Sequence, residues 1–145
     1  MKMKHIAVSL ALMGTALGGT VTVTNNTGTT SQSVLDNAGN PVDGGYAAIG
    51  TFDEDQLATL TSGSELADAF TIFGDGSFIG STSGLISLDG VYNVQVSGDF
   101  STDPRAGEPI YLVLGNGADL ASSTEAAILE VGNFPSSEPA VTVIN

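Results

Sequence analysis

Two short acidic segments carry the side chains that could hold a metal ion. Hard cations such as calcium take several oxygen ligands from carboxylates, side-chain amides and carbonyls. The candidate ligands are Asp53, Glu54 and Asp55 in one segment and Asp36, Asn40 and Asp43 in the other. We predict that the chain has no cofactor, with calcium at these residues as the one alternative.

Both segments also have a purely structural interpretation. Acidic residues at a helix start complement the helix dipole, and Asp53–Asp55 directly precede the apolar residues Leu57 and Leu60. The stretch Asn37–Pro41 is dense in residues that form turns. Neither segment has the spacing of an EF-hand or of nonapeptide calcium repeats. The metal site and the structural interpretation both stay open.

The N-terminal segment has the composition of a secretory signal peptide. Lys2 and Lys4 precede an apolar run over residues 6–17, and the small residues around Gly18 suit a cleavage site. The run is shorter than the roughly twenty residues of a transmembrane helix. We predict a signal peptide over residues 1–19, a single domain over 20–145 and secretion or display at the cell surface. The alternatives are an uncleaved membrane anchor and a buried N-terminal helix.

Without this segment the chain is strongly acidic and poor in catalytic groups. The whole chain has a net charge of −13, and beyond residue 19 Arg105 is the only base against 16 acids, a net charge of −15. Such a charge excludes nucleic acid and anionic membranes as favourable partners. Cys, Trp, His and Lys are all missing from this part, so thiolate, imidazole, Schiff-base and His-ligated zinc chemistry are excluded. We predict a protein that is not an enzyme, with a small hydrolase using two carboxylates as a remote alternative.

Alternating residues and frequent turn formers indicate an all-β fold. Thr20–Thr24 alternates valine with threonine, which is typical of a strand with one buried face. Pro109–Leu114 is a continuous apolar run, as in a central strand covered on both faces. The other predicted strands are Gln32–Asp36, Tyr46–Phe52, Glu125–Val131 and Val141–Ile144. We predict an antiparallel β-sandwich with one or two short helices.

A hairpin is predicted around Asp89-Gly90, because this dipeptide lies between two apolar runs. Pairing Leu88 with Tyr92 and Ile86 with Val94 collects the apolar side chains on one face. That register requires a three-residue loop or a bulge at residues 89–91.

Two short helices are predicted over the sheets, at about residues 53–60 and 64–70. Ser62 and Glu65 have the spacing of a capping box. Leu66, Phe70 and Phe73 follow at helical spacing, although residues 70–73 also suit a strand.

Two segments carry a family resemblance. Gly44–Phe52 and Ile110–Glu125 resemble the "GGY-IGTF" and "IY-IGNGA-L-STE" segments of uncharacterised bacterial exported proteins of the PEP-CTERM sorting type. The resemblance implies a secreted or surface-displayed β domain, with extracellular polysaccharide or surface proteins as partners, and it carries over no catalytic residue. The chain departs from the family pattern, because Ser137-Glu138-Pro139 stands in place of Pro-Glu-Pro and no apolar span or basic cluster follows. A released protein is therefore expected.

Together these observations predict a non-enzymatic extracellular or cell-surface protein with a structural or adhesive role in the matrix. The alternative is a β module that binds a glycan or calcium. No membrane span is expected after cleavage of the signal peptide, and no oligomeric state follows from the sequence.

Overall fold

The computed structural model of the protein is mostly β, with two short helices. It describes residues 19–25, 33–52, 54–73, 77–79, 82–83, 86–87, 89–98, 104–136 and 141–144. The strands are β1 Gly19–Thr24, β2 Gly45–Phe52, β3 Phe70–Ile72, β4 Ser77–Ile79, β5 Thr82–Ser83, β6 Ile86–Ser87, β7 Asn93–Gly98, β8 Pro109–Gly115, β9 Ala126–Asn133 and β10 Val141–Ile144. The helices are α1 Glu54–Leu57 and α2 Gly63–Ala69. The predicted signal peptide lies outside the described residues, apart from Gly19 at the start of β1.

The first sheet has three strands in the order β10-β1-β7. β1 is antiparallel to β7, with Val21 opposite Val96 and Val23 opposite Val94. The alternation in β1 places both of its valines in the core, where each is almost fully buried. β10 completes the sheet as a parallel neighbour of β1. The predicted strands Thr20–Thr24 and Val141–Ile144 are both confirmed.

The second sheet is antiparallel, in the order β3-β2-β8-β9, and β4 pairs with the other end of the β2 edge. β8 lies between β2 and β9, and every residue from Ile110 to Leu114 is buried. A strand between two neighbours and covered on both faces needs a continuous apolar run. The prediction of β8 as a central strand, with a partner starting near Glu125, is confirmed.

Apolar side chains cover both faces of the second sheet. On one face Ile49 and Leu112 pack against Val21 and Val94 of the first sheet. On the other face Val113 and Ala48 pack under α2 and the turn that follows β8, together with Leu66, Phe70 and Leu120. Burial of each such aliphatic side chain contributes about 1.5–3 kcal/mol. The fold is therefore a β-sandwich with a helical layer on one side, as predicted.

Half of the predicted capping box forms at the start of α2. Ser62 Oγ accepts a hydrogen bond from the backbone N–H of Glu65 at 3.2 Å. The Glu65 carboxylate accepts bonds from the backbone N–H and the hydroxyl of Thr61, both at 2.8 Å, which lowers the pKa of Glu65. The helix ends at Ala69, and Phe70 already begins β3 opposite Phe52. Both predicted helices are confirmed: α1 is shorter than predicted, and α2 begins and ends one residue earlier.

The predicted hairpin around Asp89-Gly90 is wrong. β6 pairs with β5, and β7 pairs with β1, so Ile86 does not lie opposite Val94. The dipeptide does form a turn, and Gly90 has a φ of +75°. The backbone of Gly90, however, bonds to Val34 and Val42 of a distant loop. Pairing β7 with β1 buries its valines against those of β1, which local pairing with β6 could not do.

The predicted strand over Gln32–Asp36 is also wrong for the residues described. Residues 33–36 form only an isolated bridge, between Leu35 and Pro41. The turn formers between those two residues close a tight loop, and Asp36 binds the backbone inside it. Because the Asp36 side chain already binds backbone N–H groups of this loop, those groups cannot pair with a second strand.

Candidate functional site

A cleft of about 360 Å³ lies where the 34–42 loop meets the turn between β8 and β9. Small-molecule sites in proteins typically occupy about 300–1,000 Å³. Carboxylates, amides and a hydroxyl line one part of this β8–β9 cleft, and aliphatic side chains line the rest. The lining comprises Asp36, Asn37, Asn116, Thr124, Glu125, Val34, Leu35, Val42, Leu114, Gly115, Ala126 and Ala127.

The carboxylate of Asp36 braces the loop beside this cleft. Its Oδ1 accepts hydrogen bonds from the backbone N–H of Ala38 at 2.9 Å and of Asn40 at 2.8 Å. The Asn40 amide donates to Oδ2 at 3.3 Å. These donors, the backbone and side chain of Asn40 first, lower the pKa of Asp36 from its usual value of 3.8. The carboxylate is ionised at neutral pH and already has protein partners.

Asn116 holds the turn on the opposite wall of the cleft. Its Oδ1 accepts from the backbone N–H of Thr124 and of Glu125, each at 3.0 Å. Its Nδ2 donates to the Thr124 hydroxyl at 3.1 Å. Asp119 stabilises the same turn by accepting the Ser122 N–H at 2.7 Å, and hydrogen bonds from Ser122 lower the pKa of Asp119. The polar side chains here fix the backbone.

The 34–42 loop is joined to two other turns, to one by a side chain and to the other by a glycine. The Asn37 backbone N–H donates to the Glu125 carboxylate at 3.0 Å. On the other side of the loop, Gly90 accepts from the N–H of Val34 at 2.8 Å and donates to the carbonyl of Val42 at 2.6 Å. The 34–42 loop is therefore anchored to both the β8–β9 turn and the turn before β7.

The residues predicted to bind calcium are brought together only in part. Asp36 and Asn40 contact each other, and Asp43 is exposed in the same loop. Asp55 is exposed on α1, whereas Asp53 and the side chain of Glu54 lie outside the description. Within the described ranges, no three acidic, His or Cys side chains gather as a metal site would require. Calcium binding stays a prediction.

Arg105 is the only base in the part of the chain that the structure describes. Its Nη1 donates to the carbonyl oxygen of Ile72 at 3.4 Å, and its guanidinium carbon lies 4.4 Å from the centre of the Phe73 ring. A cation over an aromatic face contributes about 0.5–1 kcal/mol when exposed. Arg105 thus attaches the turn before β8 to the end of β3.

Strand β9 exposes an apolar surface beside the cleft. Ile128 and Leu129 are 38% and 43% exposed, although they lie opposite the buried residues Val113 and Leu112 of β8. β9 is the last strand of its sheet, and no described strand pairs with its outer side. We call the segment Ala126–Glu130 the β9 edge.

Sequence reasoning predicted β9 as a strand but missed that its edge is uncovered. It also missed Asn116 and Glu125 as the residues that shape the cleft. The Asn-Gly dipeptide at 116–117 signals a turn, but it does not show which backbone groups the amide binds.

Comparison with known proteins finds no matching family model, no matching curated protein and no matching solved structure. Among the described residues, no helix is long and apolar enough to cross a membrane. The site must therefore be interpreted from its own geometry.

Proposed function

We propose that this chain is an exported, non-enzymatic protein with a structural or adhesive role in the extracellular matrix or at the cell surface. The observation that carries the proposal is the β9 edge, an exposed apolar strand on a chain with a net charge of −13. Soluble proteins normally blunt such edges with lysine, proline or bulges because an open edge pairs with other chains. The bulge of β9 lies beyond Glu130, and the segment from Ala126 to Leu129 carries no charge at all.

The polar groups support the same proposal. Asp36, Asp119 and Glu65 accept hydrogen bonds from nearby side-chain and backbone groups, and these bonds lower all three pKa values. A general acid at neutral pH requires a raised carboxyl pKa, which is the opposite shift. The signal-like N-terminal segment and the resemblance to exported proteins of the PEP-CTERM type support the proposed location.

The experiment is cell fractionation of the producing organism with an epitope fused after Asn145. We expect the tagged chain in the medium and in the matrix fraction, at the size left after removal of the N-terminal segment. The control lacks residues 2–18 and should stay inside the cell. Retention of the intact chain in the cytoplasm would contradict the proposal.

A second function, binding of a small glycan, is favoured by the β8–β9 cleft. The cleft combines carboxylate, amide and hydroxyl groups with aliphatic walls, which suits a neutral polar ligand. Titration with a panel of short oligosaccharides, followed by NMR of the Asn116 side-chain amide, tests it. Shifts confined to the cleft in one sugar series support binding, and a flat response across the panel rejects it.

A further inference from the structure

We propose that two copies of the chain pair through the β9 edge as antiparallel strands, with Ile128 of one copy opposite Ile128 of the other. This pairing supplies a partner for the proposed structural role and rests on that proposal for its biological setting. Its geometry, however, follows from the strand itself.

Along β9, the N–H and C=O groups of successive residues point alternately toward β8 and away from it. The N–H of Asn116 donates to the carbonyl of Glu125 at 3.1 Å, so the backbone groups of Glu125 face β8. Neighbouring residues of a strand face opposite sides, and the pairing of β8 with β9 is regular from Gly115↔Ala126 to Tyr111↔Glu130. Ala126, Ile128 and Glu130 therefore direct their N–H and C=O groups outward.

These outward groups mean that the binding partner of the β9 edge must be another extended strand. A row of N–H and C=O groups at strand spacing is matched only by the backbone of a β-strand. In an antiparallel pair, two opposed residues must both point toward the partner or both point away. A pair of identical strands can therefore be centred on a residue, but not between two residues.

When the pair of strands is centred on Ile128, the outward N–H and C=O groups of all three residues form hydrogen bonds with the other copy. This arrangement places Ile128 opposite Ile128 and Ala126 opposite Glu130, so each of the three outward residues exchanges bonds with an outward residue of the other copy. If the pair were centred on Ala127 or Leu129 instead, one outward residue of each strand would have no outward residue opposite it within the β9 edge. On the opposite face, Leu129 lies across from Ala127 of the other copy and both become covered.

The charges also permit this register. Each Glu130 faces an alanine, and the two Glu130 residues are four positions apart along the pair, about 13 Å at about 3.3 Å per residue. That separation exceeds the Debye length of about 10 Å at 0.1 M salt. A centre at Glu130 would instead set the two carboxylates directly opposite each other, which is destabilising.

Three properties of the dimer follow. A two-fold pair consumes the same edge on both copies, so association through this edge stops at two. A single strand pair covers less surface than the about 1,200 Å² at which stable interfaces begin, so the dimer should dissociate on dilution. Because both copies are acidic, added salt should strengthen the association.

Cysteine scanning of the full chain tests the register, since the chain has no cysteine of its own. Opposed residues in a bonded antiparallel pair have Cα atoms about 5.5 Å apart, within the range for a disulfide. After mild oxidation, Ile128→Cys should form a disulfide dimer, while Ala126→Cys and Glu130→Cys should not. An equal mixture of the last two variants should form a mixed dimer. Cross-linking of Ile128→Cys no faster than Ala126→Cys would overturn the proposal.

Sedimentation of the unsubstituted chain gives a second test that needs no thiol. The dimer fraction should rise with protein concentration and with salt, and Ile128→Lys should abolish it. Ile72→Lys is the matched control, because Ile72 is 45% exposed on β3 at the opposite edge of the same sheet. A chain that stays monomeric in every condition, or equal weakening by both variants, overturns the pairing.

The two proposals fail in different ways. A chain that is exported and retained in the matrix, yet never pairs through Ile128, refutes the pairing alone. A chain that pairs in solution but stays inside the cell refutes the proposed function alone.

Discussion

The backbone N–H of Asn37 donates to the carboxylate of Glu125 at 3.0 Å, across 88 positions of the sequence. Glu125 directly precedes β9, and Asn37 lies in the loop closed by Leu35 and Pro41. One carboxylate thus joins the loop to the start of the strand whose edge is exposed.

Removal of this carboxylate should loosen the loop without unfolding the sheets. Glu125→Ala should cost about 1 kcal/mol, because one hydrogen bond to a charged group is lost near the surface. Glu125→Gln keeps an acceptor oxygen and should cost less. Hydrogen exchange of the Asn37 amide measures the effect directly. Equal protection of Asn37 in the alanine variant and the parent would contradict the role assigned to Glu125.

Gly90 should tolerate alanine much less well than Gly39. Both have positive φ, +75° and +85°, so each alanine carries a conformational cost of about 1 kcal/mol. At Gly39 nothing lies within 4 Å of an added Cβ, whereas at Gly90 it would meet the carbonyl oxygen of Val34 at 2.6 Å. We expect a loss of about 3 kcal/mol for Gly90→Ala. Urea unfolding of the two variants checks this, and equal losses would refute it.

The hydrogen bonds to Asp36 predict a stability loss in acid. They lower the pKa of Asp36 below 3.8, so in that range the unfolded chain binds more protons than the folded chain. The contribution is complete above the unfolded pKa and is lost as the pH falls through the folded pKa. Asp36→Asn keeps an acceptor oxygen but cannot titrate, so its stability should fall less steeply below pH 3.8. Urea midpoints measured down through this range test the prediction, and an unchanged slope would count against it.

Proline substitutions should distinguish β9 residues whose N–H points away from β8 from those whose N–H faces β8. The N–H of Ile128 points away from β8, so Ile128→Pro removes no hydrogen bond of the sheet and should retain cooperative unfolding. The N–H of Leu129 faces β8, so Leu129→Pro removes such a bond and should melt several degrees lower. Thermal melts at a dilution where only monomer is present make the comparison. A lower melting temperature for Ile128→Pro than for Leu129→Pro would show that the assigned directions are reversed.

The local character of the strands and the pairing of β8 with β9 were predictable, but the neighbours of β1 and β7 were not. Pro109–Leu114 is continuously apolar and was predicted to be central, whereas Ala126–Val131 carries Glu130 and proves to be outermost, a position that its residue types do not specify. Hydrophobicity describes the faces of a strand and does not report whether its backbone edge is paired. The exposure of Ile128 could therefore be recognised only from the structure.

The same limit explains why the predicted hairpin is wrong and why calcium binding stays a prediction. Asp89-Gly90 forms the turn that its residues indicate, but the partner of β7 is β1, about seventy positions earlier. Asp36 and Asn40 were predicted as metal ligands because of their oxygen atoms. The Asp36 carboxylate accepts hydrogen bonds from backbone N–H groups and from the side-chain amide of Asn40, and such bonds depend on side-chain directions that residue types do not specify.

The first sheet also determines the order in which the molecule can assemble. β1 is among the first described residues, but its two neighbours are β7 and β10, the latter at Val141–Ile144. Contacts between distant segments form slowly because long loops must close first. The first sheet cannot be complete before residue 144 has been synthesised. The strands of the second sheet end at Asn133, so during synthesis that sheet can pair first, while one edge of β1 stays open until β10 emerges.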